Sequence, residues 1–407
     1  MKLPRPPEVN IGMVGHVDHG KSTLTKLLTG VKTDYFSEEI KRGISIKLGY
    51  ADAPVYRCPE GFPTRYSNNA SDCGKGAVLE RVVSFVDSPG HESLMATMLS
   101  GAALMDGAIM VIAANEKCPK PQTREHLTAL NFLGIKNIVI VQNKIDLVTE
   151  EKAVESYKEI KEFVKGTVAE NAPIIPMSAL DNANLDSLLN AIEKTIPTRK
   201  FETDGNPMMY IARSFDVNKP GTKPEDLHGG VIGGSITSGK FKPNDEVEIS
   251  PGIAVTKGGK KSWTQIHTQI SSIISGSITL NEKGPGGLVG MGTNLDPFLT
   301  KGDSLVGMVV GLKGSLPKPV FKISLKTSIL NKVVGSSEEL NVERIIKGET
   351  LLLNVATAVT VALVTHSKGD VMEGDLRYPV IALPGQNVAI SRKIQNRWRL
   401  IGSGTVN

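Results

Sequence analysis

Apolar residues follow two different rhythms along this chain, and the change of rhythm divides it. Over roughly the first two hundred residues, short apolar runs alternate with longer amphipathic stretches. Val9–Val14, Val82–Val86, Ala108–Ala113, Asn137–Val141 and Pro173–Met177 have the length of buried strands. A helix is expected over Lys21–Thr29, stopped by Gly30. A second carries Leu127, Leu130 and Leu133 at helical spacing and stops at Gly134. A third starts at Thr149 with Glu150 and Glu151 in its first turn, where the helix dipole favours carboxylates. It presents Ala153, Tyr157, Ile160 and Val164 on one face and stops at Gly166; a last helix runs from about Asn184 to Ile196, before Pro197. Alternating units of this kind imply a mostly parallel, doubly wound α/β sheet.

Past Pro197 the helical rhythm nearly vanishes. Thr198–Asn206 is polar and reads as a linker. Beyond it come short alternating segments between Gly, Pro, Asn and Asp turns, among them Met208–Val217, Gly230–Ile236, Glu246–Ile249 and Leu351–Val355, the pattern of a β-barrel or sandwich. The polar stretch Lys313–Lys318 splits this half in two. The expected architecture is an α/β domain over 1–200, then β domains over 207–314 and 315–407. A chain of 407 residues is too long for one core, which agrees with that division.

Charge and cysteine usage narrow the picture. Lys plus Arg number 47 against 42 Asp plus Glu, a net charge of +5, too small for wholesale wrapping of nucleic acid. The excess sits in residues 315–407, where 12 basic side chains face 7 acidic ones, with Arg392-Lys393 and Arg397-Trp398-Arg399 near the end. Two readings stay open there: a solvated barrel face, or a surface that meets RNA phosphates. Cys58, Cys73 and Cys118 are sparse and odd in number, which argues against a disulfide-framed secreted protein and for a reducing compartment. No signal peptide is readable, and the longest apolar stretch, Ala102–Ala114, is broken by Asp106 and too short for a bilayer. A cytoplasmic location is expected.

The candidate chemistry lies at the ends of the expected strands. Gly15-His16-Val17-Asp18-His19-Gly20-Lys21-Ser22 fits G-x-x-x-x-G-K-[ST] between a strand and a helix. Its backbone N–H groups can wrap phosphate, Lys21 can reach the outer phosphates, and the Ser22 hydroxyl can ligate Mg²⁺. Asp87-Ser88-Pro89-Gly90 follows a strand, where a carboxylate can hold Mg²⁺ through water and the Gly90 amide can sense a terminal phosphate. In Asn143-Lys144-Ile145-Asp146 the Asp146 carboxylate can accept from guanine N1–H and the 2-amino group, Asn143 can brace the loop, and the Lys144 stem can lie over the base. Ser178-Ala179-Leu180 can offer backbone N–H to guanine O6. Four elements in this order predict GTP binding. His91 stands where a side chain can orient an attacking water, or is a turn histidine; Arg42-Gly43-Ile44-Ser45 stands where a loop can offer a hydroxyl to Mg²⁺.

The stretches Gly15–Lys21 and Asp87–His91 resemble the translational GTPases, the group that contains elongation factor Tu. Ser37–Gly49, Met95–Asp106, Pro119–His126, Arg213–Thr222 and Arg397–Gly402 are similar to the gamma subunits of archaeal translation initiation factor two, essentially along the whole chain. That resemblance implies a P-loop GTPase domain followed by two β-barrels, and slow GTP hydrolysis without ribosomal partners. It implies delivery of methionylated initiator tRNA to the small ribosomal subunit, within a heterotrimer with alpha and beta subunits, and neither DNA nor membrane as partner. Carried over by motif, Asp18, His19, Gly20, Lys21, Ser22 and Thr23 cradle phosphate. Ser22 and Ser45 ligate Mg²⁺, where the family more often has Thr. Asp18 and the Gly43 carbonyl face a possible second Mg²⁺, and Asp87, Gly90 and His91 serve hydrolysis. The family also has a zinc knuckle with two C-x-x-C pairs, expected here as an insertion at about 51–82. This chain keeps only Cys58 and Cys73, with Gly61 and Gly76 at the second positions. Two thiolates do not complete a tetrahedral zinc site, and no other ligand is evident, so a metal-free knuckle is expected. Two further readings are a selenocysteine-specific elongation factor, which shares the first domain type, and the GTPase subunit of a sulfate adenylyltransferase.

Overall fold

The computed structural model describes residues 3–33, 48–59, 65–91, 94–200, 204–257, 260–334 and 340–407. They divide into two compact units, one of Met1–Arg199 with Asn331–Val342 and one of Lys200–Leu330 with Glu343–Asn407. No helix among the described residues is long and apolar enough to cross a membrane.

The first unit is built on strands β1 (Val9–Val14), β2 (Gly49–Arg57), β3 (Tyr66–Ser67), β4 (Val78–Asp87), β5 (Gly107–Ala113), β6 (Ile138–Asn143) and β7 (Ile174–Pro176). Their order in the sheet is β3-β2-β4-β1-β5-β6-β7. Neighbours from β4 through β7 run parallel, and β2 and β3 are antiparallel additions at one edge. The helices are α1 (Lys21–Thr29), α2 (Met95–Ala102), α3 (Pro121–Phe132), α4 (Glu150–Val164) and α5 (Leu185–Thr195). β1 is buried along its whole length, as a central parallel strand covered on both faces must be. Val9, Ile11 and Met13 alternate onto one face and pack with Leu24 and Leu28 of α1 and Leu188, Leu189 and Ile192 of α5. Each such side chain contributes about 1.5–3 kcal/mol on burial, which holds α1 against β1.

Three sequence readings change here. Residues 51–82 are only partly an insertion: β2 pairs with β4 from Gly49↔Asp87 to Arg57↔Val78, so much of the stretch is sheet. Its Tyr, Asp and Pro residues hide the strand because an edge position tolerates them. On α4 the buried side runs through Ser156, Ile160 and Val164, while Tyr157 is 39% exposed. The small Ser156 is buried where a phenol ring was expected. Cys58 and Cys73 are bonded to each other, so two of the three cysteines are not free thiols.

The second unit holds two barrels. One comprises β8 (Met208–Phe215), β9 (Val231–Ser238), β10 (Glu246–Lys257), β11 (Lys260–Ser275), β12 (Ile278–Thr279), β13 (Val289–Thr293) and β14 (Val309–Leu312). Its order, β10-β14-β8-β9-β13-β11-β12, closes through β10–β11 pairing. β10 outruns the expected Glu246–Ile249 because a register shift between Ile249 and Ile253 lets the strand continue past Pro251. The other barrel is β15 (Val320–Ile329), β18 (Val371–Val380), β17 (Ala358–Lys368), β16 (Thr350–Val355), β19 (Asn387–Ile394) and β20 (Arg397–Val406), closed in that order. Closure leaves no open edge for pairing with other chains. Arg392 is not a free surface cation. Its guanidinium makes a two-pronged contact with the Glu349 carboxylate and donates to the Glu343 carbonyl at 2.8 Å and the Arg344 carbonyl at 3.3 Å. Lys393, next along β19, is exposed.

Candidate functional site

Between β1 and α1 the backbone coils. Gly15, Asp18 and Gly20 have φ of 137°, 61° and 95°, the left-handed backbone that lets the amides of a loop gather round an anion in the hollow at the positive end of a helix. Gly20 is the N-cap of α1 and makes no side-chain cap. Lys21 donates from Nζ to the His16 carbonyl at 2.8 Å, which folds the ammonium back over the loop.

The Asp87–Gly90 segment closes one side. Asp87 is fully buried at the end of β4, and its Oδ2 accepts from Ser22 Oγ at 2.8 Å and from Thr33 Oγ1 at 2.6 Å. A hydroxyl and a carboxylate in contact, beside a nest of amides, are the oxygen donors that suit Mg²⁺, a cation that keeps most of its waters. Gly90 lies against the loop: a Cβ there would stand 2.5 Å from Lys21 Nζ and 2.9 Å from both Gly15 O and Val17 N. Only glycine admits that approach. His91 follows directly, is exposed, and accepts at its carbonyl from Leu94 N–H at 2.9 Å. Gly43 and Ser45 lie outside the described residues.

Asn143 joins the two loops. Its Nδ2 donates to the His19 carbonyl at 2.9 Å and its Oδ1 accepts from Ala179 N–H at 3.0 Å. A side chain at Gly20 would come 2.3 Å from Asn143 Nδ2, so the second glycine of the loop makes room for this brace. Lys144 has φ of 62°, and a short 3₁₀ turn, Ile145–Leu147, carries the exposed Asp146. Ser178 Oγ donates to Asp181 Oδ2 at 2.8 Å and accepts from Asp181 N–H at 3.2 Å, shaping the turn on which Leu180 is 80% exposed. The Ala179 amide is given to Asn143 Oδ1, and Ser178 pairs with Ala183 in a short antiparallel bridge.

The side chain of His19 does not face the hollow. It is 1% exposed with Nδ1 against the Val111 carbonyl at 3.1 Å, and burial pushes its pKa down to about 4. Its backbone alone serves the loop, while Asp18 and Thr23 stay exposed. Two residues outside the four nucleotide motifs also belong here. Thr33 shares Asp87 with Ser22, and nothing in its loop sequence marks it. His126, on α3, accepts at Nδ1 from Gly15 N–H at 2.8 Å. His126 closes the Pro119–His126 stretch singled out in the sequence, but nothing in that stretch points to this contact.

The Cys58–Cys73 sulfurs, bonded to each other, do not act as thiolate ligands. Cys118 is buried, with its thiol pKa pushed up to about 12 by burial. Among the described residues no group of three or more His, Cys, Asp or Glu side chains is placed to hold a metal ion.

Residues 7–198 match the elongation factor Tu GTP binding domain, and residues 321–406 match initiation factor eIF2 gamma, C terminal. The chain is 59% identical over 406 residues to translation initiation factor 2 subunit gamma of Thermoplasma acidophilum, covering 100% of this chain and 98% of that protein. It is 57% identical over 405 residues to the subunit of the same name from Methanocaldococcus jannaschii, with the same two coverages. Among solved structures, a bacterial selenocysteine-specific elongation factor EF-Sec superposes with a TM-score of 0.75 at 23% identity, over 98% of this chain and 58% of that one. Elongation factor SelB from Methanococcus maripaludis, in complex with the GTP analogue GppNHp, gives 0.73 at 23% identity, over 100% of this chain and 80% of that one. At such identity the two structures speak for the fold alone.

Proposed function

The chain belongs to the family of translation initiation factor 2 gamma subunits, translational GTPases, and we propose that in its GTP form it carries methionylated initiator tRNA to the small ribosomal subunit, together with alpha and beta subunits. Hydrolysis then releases the tRNA after start-codon selection. We read the chain as three domains, 1–200, 207–314 and 315–407, and place the reaction in the first. A cytoplasmic location follows from that role.

The observation that carries the site assignment is the Asn143 brace, which ties the phosphate loop at His19 to the base loop at Ala179. On this reading the amides from Asp18 to Thr23 receive the phosphates, and Lys21 exchanges the His16 carbonyl for phosphate oxygen. Ser22 and Asp87 would hold Mg²⁺, with Ser45 as a further ligand and Asp18 and Gly43 beside a second ion. Mg²⁺, when bound, neutralises charge on the outer phosphates. Asp146 reads the guanine edge, the Lys144 stem covers the base, and the backbone amides of Ser178–Leu180 meet O6. The Gly90 amide reports the terminal phosphate by direct contact with the loop. His91, exposed beside it, orients the attacking water, so the protein's share of catalysis is positioning and electrostatics. Ordering of the loops that bear Gly90 and Ser45 then shapes the tRNA site.

The family match favours this reading over a selenocysteine-specific factor, to which the likeness is one of fold. Filter binding of methionylated initiator tRNA, elongator methionyl-tRNA and selenocysteinyl-tRNA, each with GTP analogue and with GDP, tests it. Tight binding of initiator tRNA only in the GTP-analogue state is expected. Equal binding of all three, or preference for selenocysteinyl-tRNA, would overturn it. Asp146→Asn should abolish guanine preference; a variant that still prefers guanine would refute the base assignment.

A further inference from the structure

The phosphate loop is held from behind as well as from in front. Gly15, its first residue, touches three different elements. Its N–H donates to His126 Nδ1 of α3 at 2.8 Å. A Cβ on it would meet the Val111 carbonyl of β5 at 2.3 Å, and its own carbonyl lies where Gly90 approaches. His126 is 1% exposed, so the bond is sealed from water. A ring that accepts at Nδ1 is neutral and carries its proton on Nε2. Burial, with Lys21, His16 and His19 nearby, pushes the His126 pKa down to about 3, in keeping with that form.

From this geometry we propose that His126 is a positioning residue for nucleotide binding: its neutral Nδ1 anchors the Gly15 amide and so sets the conformation in which the loop from Gly15 to Ser22 receives phosphate. The imidazole touches neither nucleotide nor reacting atoms. It acts through the backbone of Gly15, whose place decides how the following amides point and how Gly90 meets the loop. A nest works as an anion site only when its amides are already aligned, because aligning them on binding would cost affinity. The acceptor must also stand where Nδ1 stands, since Gly15 has no room to follow a displaced partner.

The test uses the full chain and three variants. His126→Asn places Oδ1 near the Nδ1 position, His126→Gln places its oxygen near Nε2 instead, and His126→Leu offers no acceptor. The measurements are dissociation rates and affinities of fluorescent GDP and of a GTP analogue, with the melting temperature of the nucleotide-free protein. Loss of the acceptor should weaken GDP binding roughly tenfold in Leu and in Gln, and Asn should recover most of that loss. Recovery should follow acceptor position rather than melting temperature, a pattern that packing alone does not give. An Asn variant as weak as Leu, or a folded Leu variant with unchanged nucleotide affinity, would overturn the proposal. If the variants do not fold, nitrogen NMR of the wild-type histidines decides: a bare Nδ1 and protonated Nε2 on His126 support it, and a protonated Nδ1 ends it. The inference rests on the reading that this loop holds phosphate. Wild-type protein that fails to bind GDP ends both, whereas the variants, compared with a binding wild type, judge His126 alone.

Discussion

Removing the Asn143 side chain separates the two loops of the site, and the cost can be worked from its contacts. Asn143→Ala deletes the donor to the His19 carbonyl and the acceptor of the Ala179 amide. Both residues are buried, at 1% and 5% exposure. A buried polar group left unpaired costs about 1–3 kcal/mol, so two cost about 2–6 kcal/mol if nothing relaxes. Water entering the gap returns part, and about 3 kcal/mol is expected to remain. In a unit of about 200 residues that lowers the melting temperature by about 6–12 °C. Calorimetry of the nucleotide-free protein, following the transition of the first unit, measures it. Asn143→Asp sharpens the test. A carboxylate keeps the acceptor for Ala179 but faces the His19 carbonyl with an oxygen, so it should be at least as damaging near neutral pH. Acidification should restore part of the loss, because a protonated carboxyl can donate to that carbonyl. An alanine variant that melts within about 2 °C of the wild type, less than 1 kcal/mol, and binds GDP unchanged would refute the reasoning.

Other perturbations follow from single contacts. Reduction of Cys58–Cys73, or Cys58→Ser, should destabilise the protein by about 3 kcal/mol, the loop-closure value for the separation of 15 residues; urea unfolding with and without a dithiol measures this, and one equivalent of zinc by metal analysis would contradict the metal-free reading. His19 and His126 are held neutral, with pKa values of about 4 and about 3 against 6.5 when unfolded. The unfolded chain therefore takes up protons first, and stability should fall as pH drops from about 6.5 towards those values, by up to about 1.4 kcal/mol per pH unit for each histidine. Urea midpoints between pH 7 and 5 should fall less steeply for His126→Asn than for the wild type; parallel curves would count against it. Arg392→Ala should destabilise by about 3 kcal/mol because it strands Glu349 in a half-buried setting. Lys393→Glu should leave stability within about 0.5 kcal/mol, so any loss of RNA binding by that variant reports the surface itself; thermal melts beside salt-dependent binding separate the two.

Elements whose residues act through local backbone chemistry were legible in the sequence. Gly15, Gly20 and Gly90 stand where a positive φ or a close approach demands glycine, and Asn143 stands where one side chain must both donate and accept. These requirements fix residue types at fixed spacing. What depended on long-range packing was not legible. His126 reaches Gly15 across more than a hundred positions of sequence, and Ser156 rather than Tyr157 is buried on α4. β2 hid in a stretch that reads as an insertion. The pairing of Cys58 with Cys73 emerged only where the fold brought β2 and the turn before β4 together. In the second unit, turn residues marked the strands, but the length of β10 came from a register shift past Ile249 and the engagement of Arg392 with Glu349 from contacts distant in sequence.

The proposed switch couples nucleotide state to initiator tRNA, and reciprocity is its sharpest test. Affinity for methionylated initiator tRNA is measured with GTP analogue and with GDP, and affinity for each nucleotide is measured with and without the tRNA. Linkage requires the same coupling factor from both directions, about 5–150-fold for a typical switch. Tighter tRNA binding is expected with the GTP analogue, with an equal gain in preference for the analogue over GDP when tRNA is present. Initiator tRNA bound equally in both nucleotide states, with nucleotide affinities that ignore it, would rule the coupling out.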